Sequence, residues 1–216
     1  RRLPSKHRAG GTMKVAVYAS SSSRTSPAFL DAARAIGGGL AALGYTVVNG
    51  GGSAGGMGGL NEAARAGGGR IVSVIHECFI VDGQEFENVD EMIVAQGDDL
   101  GERKRLLLAH ADVVVCLPGG VGTLDELWDA ASSRQLGFKV AKPICILNLD
   151  GYFAGTLMQL DRAASEGLLS KAPWEIFHVV SSAEEALAWC VAHDPATHAA
   201  ATTDATLLRK RAKSDA

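Results

Sequence analysis

Residues 112–126 read DVVVCLPGGVGTLDE, and this stretch decides the predicted fold. A run of valines without polar alternation is typical of a strand that is buried on both faces of a parallel sheet. The strand leads into a glycine-rich turn, after which a helix is predicted from Thr123 onward. The stretch therefore predicts a strand–turn–helix unit, the element from which α/β sheets are built.

The same alternation of apolar strand and helix continues through the chain from Met13 to His193. Strands are predicted at 14–19, 45–49, 71–75, 91–95, 112–117, 143–147 and 176–180. Helices are predicted at 27–43, 58–66, 99–110, 123–136, 153–166 and 183–191. Ser182 should cap the last helix, with Glu185 as its capping-box partner. The pattern predicts one α/β domain over residues 13–193, with a doubly wound, mostly parallel, Rossmann-like sheet and helices on both faces.

Composition excludes several classes of protein. Of the 216 residues, 47% are hydrophobic and 21% charged, which is near the globular average and argues against wholesale disorder. The net charge of −3 lacks the strong basic surplus that a general nucleic-acid binder would show. We expect no membrane partner, because no apolar run approaches the roughly 20 residues that cross a bilayer. The cysteines form no C-x-x-C pair, so we expect free thiols in a reducing, cytoplasmic compartment.

The two ends of the chain differ in composition from the domain between them. Residues 1–12 are basic and contain no acid, and we expect a flexible arm or a trimmed organellar targeting segment. Residues 194–216 are rich in alanine and threonine, and we expect this tail to be poorly ordered.

Glycine is the compositional outlier, with 26 residues that cluster after predicted strands. Ligands bind at that edge of a doubly wound sheet. The loop at 49–58 lets the backbone approach an anion at a helix N-terminus, which favours a phosphate site. Gly50-x-Gly52-x-x-Gly55 also fits the dinucleotide fingerprint, with Glu77 as the ribose-binding acid, so a nicotinamide-dependent oxidoreductase is a rival interpretation. The serines at 20–23 offer hydroxyls at the same edge.

The loop at 118–126 predicts a second anion site, with Asp125 and Glu126 in the first turn of the following helix. A bound phosphate repels a carboxylate, so these acids need a positive partner or a chemical role. Arg103 and Lys104, which open the preceding predicted helix, are the candidate partners. We predict no metal site: His76, Glu77 and Cys78 are the densest ligand cluster, and neighbours on a strand point to alternating sides.

Taken together, these motifs resemble the Lonely Guy family. They are Pro118-Gly119-Gly120-x-Gly122-Thr123-x-x-Glu126, Arg103-Lys104 and Gly50-Gly51-Gly52-x-x-Gly55. The resemblance covers residues 14–193 and implies a cytokinin riboside 5′-monophosphate phosphoribohydrolase, an enzyme long mislabelled as a lysine decarboxylase. Asn49 stands where the family usually has tyrosine, Gly56 where it has leucine and His76 where it has proline. These departures border the expected base pocket, so they affect the choice of base more than the reaction.

The resemblance also assigns roles to residues. Glu126 is implied as the carboxylate that stabilises the ribose cation and orients the attacking water, and Arg103 as the second catalytic residue. The implied substrate-binding residues are Ser20, Ser21, Gly51, Gly52, Gly55, Met57, Arg103, Lys104, Gly119, Gly120, Val121, Gly122, Thr123, Leu124, Asp125 and Ser132. The family needs no metal and no organic cofactor, and its members form homodimers or larger homo-oligomers.

The sequence motifs are also compatible with other functions. A broader nucleoside-monophosphate nucleosidase acting on AMP would use the same motifs, because prenyl-group selection lies in the shape of the pocket. A non-catalytic nucleotide or molybdenum-cofactor carrier would bind without turnover and would not need the Arg103 and Glu126 pair. A lysine decarboxylase would need a pyridoxal-bearing lysine and a far larger domain, and neither is evident.

Overall fold

Seven parallel strands form one sheet in this computed structural model, which describes residues 12–81 and 83–197. The strands run in the order β4-β3-β2-β1-β5-β6-β7, and every pairing is parallel. They are β1 (Lys14–Tyr18), β2 (Thr46–Asn49), β3 (Arg70–His76), β4 (Glu91–Ala95), β5 (Val113–Cys116), β6 (Ile144–Leu147) and β7 (His178–Val180). The predicted doubly wound α/β sheet is confirmed, and it is parallel throughout.

The helices cover both faces of this sheet, as predicted. They are α1 (Pro27–Ala42), α2 (Gly55–Ala66), α3 (Glu77–Val81), α4 (Gly101–Ala109), α5 (Val121–Leu136), α6 (Ala154–Ser165), α7 (Pro173–Ile176) and α8 (Ala183–Ala192). Apolar residues of α1, α2 and α8 pack with one face of the strands. Those of α4, α5, α6 and α7 pack with the other face. Successive residues of β1 accordingly enter opposite cores, Val15 and Val17 on one side and Ala16 and Tyr18 on the other.

The strand order reverses between β1 and β5, which lie side by side with Tyr18 in register with Cys116. From β1 the chain proceeds outward to β2, β3 and β4, whereas β5, β6 and β7 lie on the opposite side. The loops that leave such a switch point diverge and open a crevice at the carboxyl edge. The glycine-rich loops after β2 and β5 therefore lie at the same edge of the sheet as the serine loop after β1.

The expectation that His76, Glu77 and Cys78 are neighbours on a strand is wrong, and so is the predicted start of the last strand at Ile176. After His76 the chain turns into α3, so Glu77 and Cys78 lie on a helix. Ile176 belongs to α7, which begins at Pro173, where the Glu175 carboxylate accepts a hydrogen bond from the Ala172 N–H at 2.8 Å. Helices of four or five residues are too short to show helical periodicity in the sequence.

The N-terminus of α8 is built nearly as predicted. Ser182 Oγ accepts a hydrogen bond from the Glu185 N–H at 3.2 Å, as a capping serine should. The Glu185 carboxylate reaches back to the N–H of Ser181, at 2.8 Å, and to its hydroxyl, at 3.0 Å. Hydrogen bonds from Ser181 lower the pKa of Glu185. The reciprocal bond of the capping box is therefore offset by one residue.

Few residues of the two predicted terminal segments are described. Thr12 is the only described residue of the N-terminal segment, and residues 198–216 of the predicted tail also lie outside the described ranges. Asp194, the first residue of that tail, is buried and accepts a hydrogen bond from Tyr45 Oη at 2.9 Å. All four cysteines are free, and Cys78 alone among them is exposed. Over the described ranges, no helix is both long and apolar enough to span a membrane.

Substitution of two adjacent glycines on α1 tests the close packing of this helix on α2. A Cβ built on Gly37 would lie 2.2 Å from the backbone oxygen of Leu60, whereas one on Gly38 meets nothing within 4 Å. We expect Gly37→Ala to lower the free energy of unfolding by about 1–3 kcal/mol through overpacking. Gly38→Ala should raise it by about 0.5–1 kcal/mol, because alanine is the better helix former. Urea unfolding of both variants measures this, and equal effects would contradict the described contact.

Candidate active site

A cavity of about 480 Å³ lies at the carboxyl edge of the sheet, a volume within the usual range for small-molecule sites. Loops after β1, β2 and β5, together with the first turns of α2 and α5, supply most of its wall. The remainder comes from β3, from α3 and the residues after it, and from α4 with the residue before it. The lining residues are Ala19, Ser21, Ser23, Gly50, Gly52, Ser53, Ala54, Met57, Ile75, Phe79, Gly83, Gln84, Leu100, Arg103, Gly120, Val121, Gly122, Thr123 and Glu126.

Arg103 and Glu126 form a buried ion pair in the wall of this cavity. Arg103 Nη1 donates to Glu126 Oε1 at 2.6 Å, and the two residues are only 6% and 8% exposed. The other donors of the guanidinium are also used: Nε donates to Val74 O at 3.0 Å and Nη2 to Gly50 O at 3.3 Å. Arg103 is therefore fixed between the loop after β2, strand β3 and helix α5.

The electrostatic state of Glu126 follows from its burial. Loss of water raises the pKa of its carboxyl above the ordinary value, while the charge and hydrogen bond of Arg103 act in the opposite direction. Burial, and the charge of Glu126 after it, likewise raise the pKa of Tyr18 and Cys116, so these two groups add no negative charge at neutral pH. A carboxylate with a raised pKa and little hydration is suited to accepting a proton or stabilising a cation.

The N-terminus of α5 forms the polar end of the cavity. Gly120, Val121, Gly122 and Thr123 all line it, and no side chain of the described residues caps the helix. The first N–H groups of α5 are therefore available to an anion, and the helix dipole favours one there. Thr123 Oγ1 donates to Ala19 O at 3.0 Å, which ties the start of α5 to the loop after β1.

The predicted binding residues divide into two groups. Those that line the cavity with Glu126 are Ser21, Gly52, Met57, Arg103, Gly120, Val121, Gly122 and Thr123. Those that lie nearby without lining it are Ser20, Gly51, Gly55, Lys104, Gly119, Leu124, Asp125 and Ser132. Lys104 Nζ pairs with Asp125 Oδ1 at 2.8 Å beside the cavity, on the partly exposed faces of α4 and α5. Ser132 is exposed farther along α5.

Several members of the second group have structural partners in the loops. Ser20 Oγ accepts from the Gly56 N–H at 3.0 Å and lies 2.8 Å from Thr25 Oγ1, so it joins the loop after β1 to the start of α2. Tyr152 Oη donates a hydrogen bond to Gly119 O. A Cβ on Gly119 would lie 2.1 Å from Thr123 Oγ1, which explains why glycine is needed there.

Of the apolar residues that line the cavity, Met57 was predicted from the sequence, whereas Ile75, Phe79 and Leu100 were not. Phe79 lies on α3, which was not predicted, and the segment after α3 also contributes Gly83 and Gln84. That segment is held against the glycine loop, because the Ser53 N–H donates to Gln84 O at 2.9 Å and the Phe86 N–H to Gly51 O at 2.7 Å. The signal that could have found Phe79 was the apolar stretch of residues 79–81, which begins three residues after the end of β3.

The geometry gives no support to the dinucleotide interpretation. Glu77, the expected ribose-binding acid, is exposed on α3 and does not line the cavity. Among the described residues, no group of three or more His, Cys, Asp or Glu side chains is placed to hold a metal ion. His76 instead contacts Cys78 Sγ at 3.0 Å through Nδ1 and Gly97 O at 3.1 Å through Nε2.

Comparison with known proteins identifies relatives over most of the chain. The model of the family described as "Possible lysine decarboxylase" matches residues 57–190. A cytokinin riboside 5′-monophosphate phosphoribohydrolase of Mycobacterium marinum is 37% identical over 180 residues, which are 83% of this chain and 94% of that protein. An enzyme of the same name from Arabidopsis thaliana is 33% identical over 172 residues, 80% of this chain and 79% of that protein.

Solved structures share the fold. The X-ray structure of a structural-genomics target is 27% identical, with a TM-score of 0.63, and the match covers 82% of this chain and 97% of that one. The molybdenum cofactor carrier protein of Chlamydomonas reinhardtii also superposes with a TM-score of 0.63 over 85% of this chain and 98% of its own. The carrier is 22% identical, so its likeness concerns the fold alone.

Substitution of two neighbouring cations on α4 tests how much stability is lost when Glu126 is left without its partner. Arg103→Met should lower the free energy of unfolding at pH 7 by about 3–5 kcal/mol, because it strands a buried carboxylate. Lys104→Met removes a partly exposed pair and should cost at most about 1 kcal/mol. Denaturant unfolding measures both.

The loss in Arg103→Met should also shrink as the pH falls from 7. Glu126 has a raised pKa when folded, so the folded state takes up a proton before the unfolded state does, and protonation removes the stranded charge. A loss independent of pH would mean that the packing of Arg103, and not its charge, supports the fold.

Proposed function

This chain belongs to the family of cytokinin riboside 5′-monophosphate phosphoribohydrolases, and on that premise we propose that it hydrolyses the N-glycosidic bond of these nucleotides with Glu126 as the reacting carboxylate. The products are the free base and ribose 5-phosphate. The observation that carries the proposal is the buried Glu126 carboxylate, which faces a nucleotide-sized cavity and is held by Arg103 at 2.6 Å.

The cavity offers a different chemistry to each part of the substrate. The 5′-phosphate lies at the N-terminus of α5, where the N–H groups of Gly120, Val121 and Gly122 favour an anion. The ribose lies over Glu126. The base extends toward the apolar wall formed by Met57, Ile75, Phe79 and Leu100. Binding energy from the unreactive phosphate thus positions the bond that breaks.

The reaction then follows from charge. As the bond between C1′ and the base nitrogen breaks, its electron pair leaves with the base and positive charge develops on the ribose. The Glu126 carboxylate stabilises this charge in a site with little water, where such an interaction is strongest. A water molecule adds to C1′ and gives one proton to Glu126. The departing base nitrogen takes up one proton in exchange through solvent, so the Glu126 carboxylate is regenerated and no net proton is consumed. Arg103 holds the carboxylate in place and keeps it ionised before the reaction.

The apolar wall favours an adenine with an apolar N6 substituent over AMP itself. A prenyl group would bury its methyl and methylene groups against side chains of the wall, and each buried methylene is worth about 0.8 kcal/mol. AMP would use the same phosphate site and the same Glu126 but would leave that wall unfilled. We therefore place general AMP hydrolysis second.

The proposal includes assembly into a homodimer or larger homo-oligomer. One face of the molecule exposes large apolar side chains on α5, α6, α7 and the turn after α5. They are Val121, Trp128, Leu136, Phe138, Met158 and Trp174, of which Val121 and Trp174 are 85% and 80% exposed. Several exposed apolar side chains in one layer of helices favour a protein–protein contact there. Because Val121 also lines the cavity, a second copy on this face would lie beside the active site.

Replacement of Glu126 by glutamine tests the reaction. Glu126→Gln keeps the size and polarity of the side chain but removes its charge, so turnover should fall by at least about 10³-fold while nucleotide binding persists. The assay is chromatography of free base after incubation with N6-isopentenyl-AMP, with AMP in a parallel reaction. Asp129→Asn is the matched control, since Asp129 lies one turn farther along α5 and does not line the cavity.

The outcomes separate the candidate functions. Isopentenyladenine released by the wild type and by Asp129→Asn, but not by Glu126→Gln, supports the proposal. Adenine released from AMP alone would move the function to general nucleotide salvage. Nucleotide bound without release of base from either compound would indicate a carrier, and near-normal activity of Glu126→Gln would remove Glu126 from the mechanism.

Charge placed on the apolar face tests the assembly. Leu136→Glu combined with Trp174→Glu should convert the oligomer to a monomer, because two carboxylates would have to be buried in the contact. Leu43→Glu is the control, since Leu43 is a half-exposed leucine at the end of α1 on the opposite face of the sheet. Sedimentation velocity measures the mass. A wild-type protein that is monomeric at micromolar concentration would contradict the proposed assembly.

A further inference from the structure

Two buried asparagines lie behind the glycine loop that follows β2. Asn49 is the last residue of β2 and Asn61 lies on α2, and both are fully buried. Asn49 Nδ2 donates to Asn61 Oδ1 at 2.5 Å, which joins the strand to the helix directly. Buried amides are costly unless they are hydrogen-bonded, so this pair requires a reason to be there.

Both side chains also bind the backbone of the loop between them. The Gly51 N–H donates to Asn49 Oδ1 at 2.8 Å, and Asn61 Nδ2 donates to Gly52 O at 3.3 Å. These backbone partners fix the orientation of each amide, because an N–H can only donate and a carbonyl can only accept. The two asparagines therefore form one directed chain of hydrogen bonds that holds residues 51 and 52 from both sides.

The same loop touches the catalytic arginine. Gly50 O accepts a hydrogen bond from Arg103 Nη2 at 3.3 Å, and a Cβ on Gly50 would lie 1.9 Å from that nitrogen. There is thus little clearance between the loop backbone and the guanidinium. Neither Asn49 nor Asn61 lines the cavity, so they influence the reaction through the loop that they hold, and Gly50 is the residue of that loop that bonds to Arg103.

We propose that Asn49 and Asn61 are positioning residues: their amide pair holds the Gly50 carbonyl where it orients Arg103, and so sets the contact between Arg103 and Glu126. This inference rests on the proposed function, in which Glu126 is the reacting carboxylate. Asn49 stands where the resemblance leads one to expect a tyrosine, so the amide pair is a feature of this chain. The asparagine at position 49 has a specific role, because the chain of hydrogen bonds needs a donor and an acceptor at both Asn49 and Asn61.

Loss of the pair should be visible in the titration of Glu126. The charged and titratable groups that act on this carboxyl are Arg103 and Lys104 from α4, Asp125 from α5, Tyr18 from β1 and Cys116 from β5. Arg103 is the strongest of those that lower its pKa. When the loop no longer holds Arg103, the arginine counteracts the effect of burial on Glu126 less strongly. The pKa of Glu126 therefore rises. Because the ionised form is the active one, the acid limb of kcat then moves to higher pH.

The experiment compares Asn49→Ala, Asn61→Ala and the double variant with the wild type. We expect the acid limb of kcat for N6-isopentenyl-AMP to move up by about one pH unit in Asn49→Ala, which at pH values on that limb is about a tenfold loss of kcat. Asn61→Ala keeps the bond between Asn49 and Gly51, so we expect a smaller shift of the acid limb in the same direction. This variant provides the test if Asn49→Ala does not fold. The double variant should be no worse than Asn49→Ala alone, because the two residues act as one unit.

Leu60→Ala is the control for a purely structural effect. Leu60 is fully buried on α2 next to Asn61 and should lose thermal stability without moving the acid limb. The pKa of Glu126 is measured independently of turnover by ¹³C NMR of glutamate-labelled protein, with Glu126→Gln to assign the resonance. A wild type that releases no base would refute the proposed function alone. An unchanged Glu126 pKa in Asn49→Ala, with a loss of stability like that of Leu60→Ala, would overturn the positioning role.

Discussion

The buried ion pair of Arg103 and Glu126 is the constraint on which the rest of the site depends. Removing two charges from water costs several kcal/mol each, and their mutual attraction offsets this only when the remaining hydrogen-bonding groups are also satisfied. The fold supplies two backbone carbonyls to the other nitrogens of Arg103, Val74 O from β3 and Gly50 O from the loop after β2. The position of Arg103 is therefore set by the sheet and the loop, and the reactivity of Glu126 is set by Arg103.

The topology of the sheet explains why a few loops are enough to form the site. Because β1 and β5 are neighbours at the switch point, the loops that leave them diverge and open a crevice between them. Hydrogen bonds then lock the loops to one another: Thr123 bonds to Ala19 O, and Ser20 bonds to the Gly56 N–H. A preorganised wall of this kind needs little rearrangement to receive a phosphate, so the binding energy can be used on the ribose.

The sequence predicted the sheet and the polar half of the site because both depend on local patterns. A buried valine run, a glycine turn and a helix start are readable from residues 112–126 alone. Most of the apolar wall was not predictable in this way. Phe79 lies on a five-residue helix without periodicity, and the Gln84 carbonyl is held by the N–H and the hydroxyl of Ser53, 31 residues earlier. Nor could the role of Asn49 be foreseen, because its partner Asn61 is recognised only once β2 and α2 are packed together.

These two halves of the cavity are supported by different parts of the structure. The carboxylate and its arginine are fixed by β3, the loop after β2 and α5. Phe79 and Leu100 of the base wall come instead from α3 and from the residue before α4. Phe79 and Leu100 make none of the hydrogen bonds that hold Glu126. Substitutions in the wall can therefore change which N6 substituent fits while the geometry of the reacting groups is kept. Leu100 is the point where the two halves meet, because it lies three residues before Arg103 and directly precedes the helix that carries it.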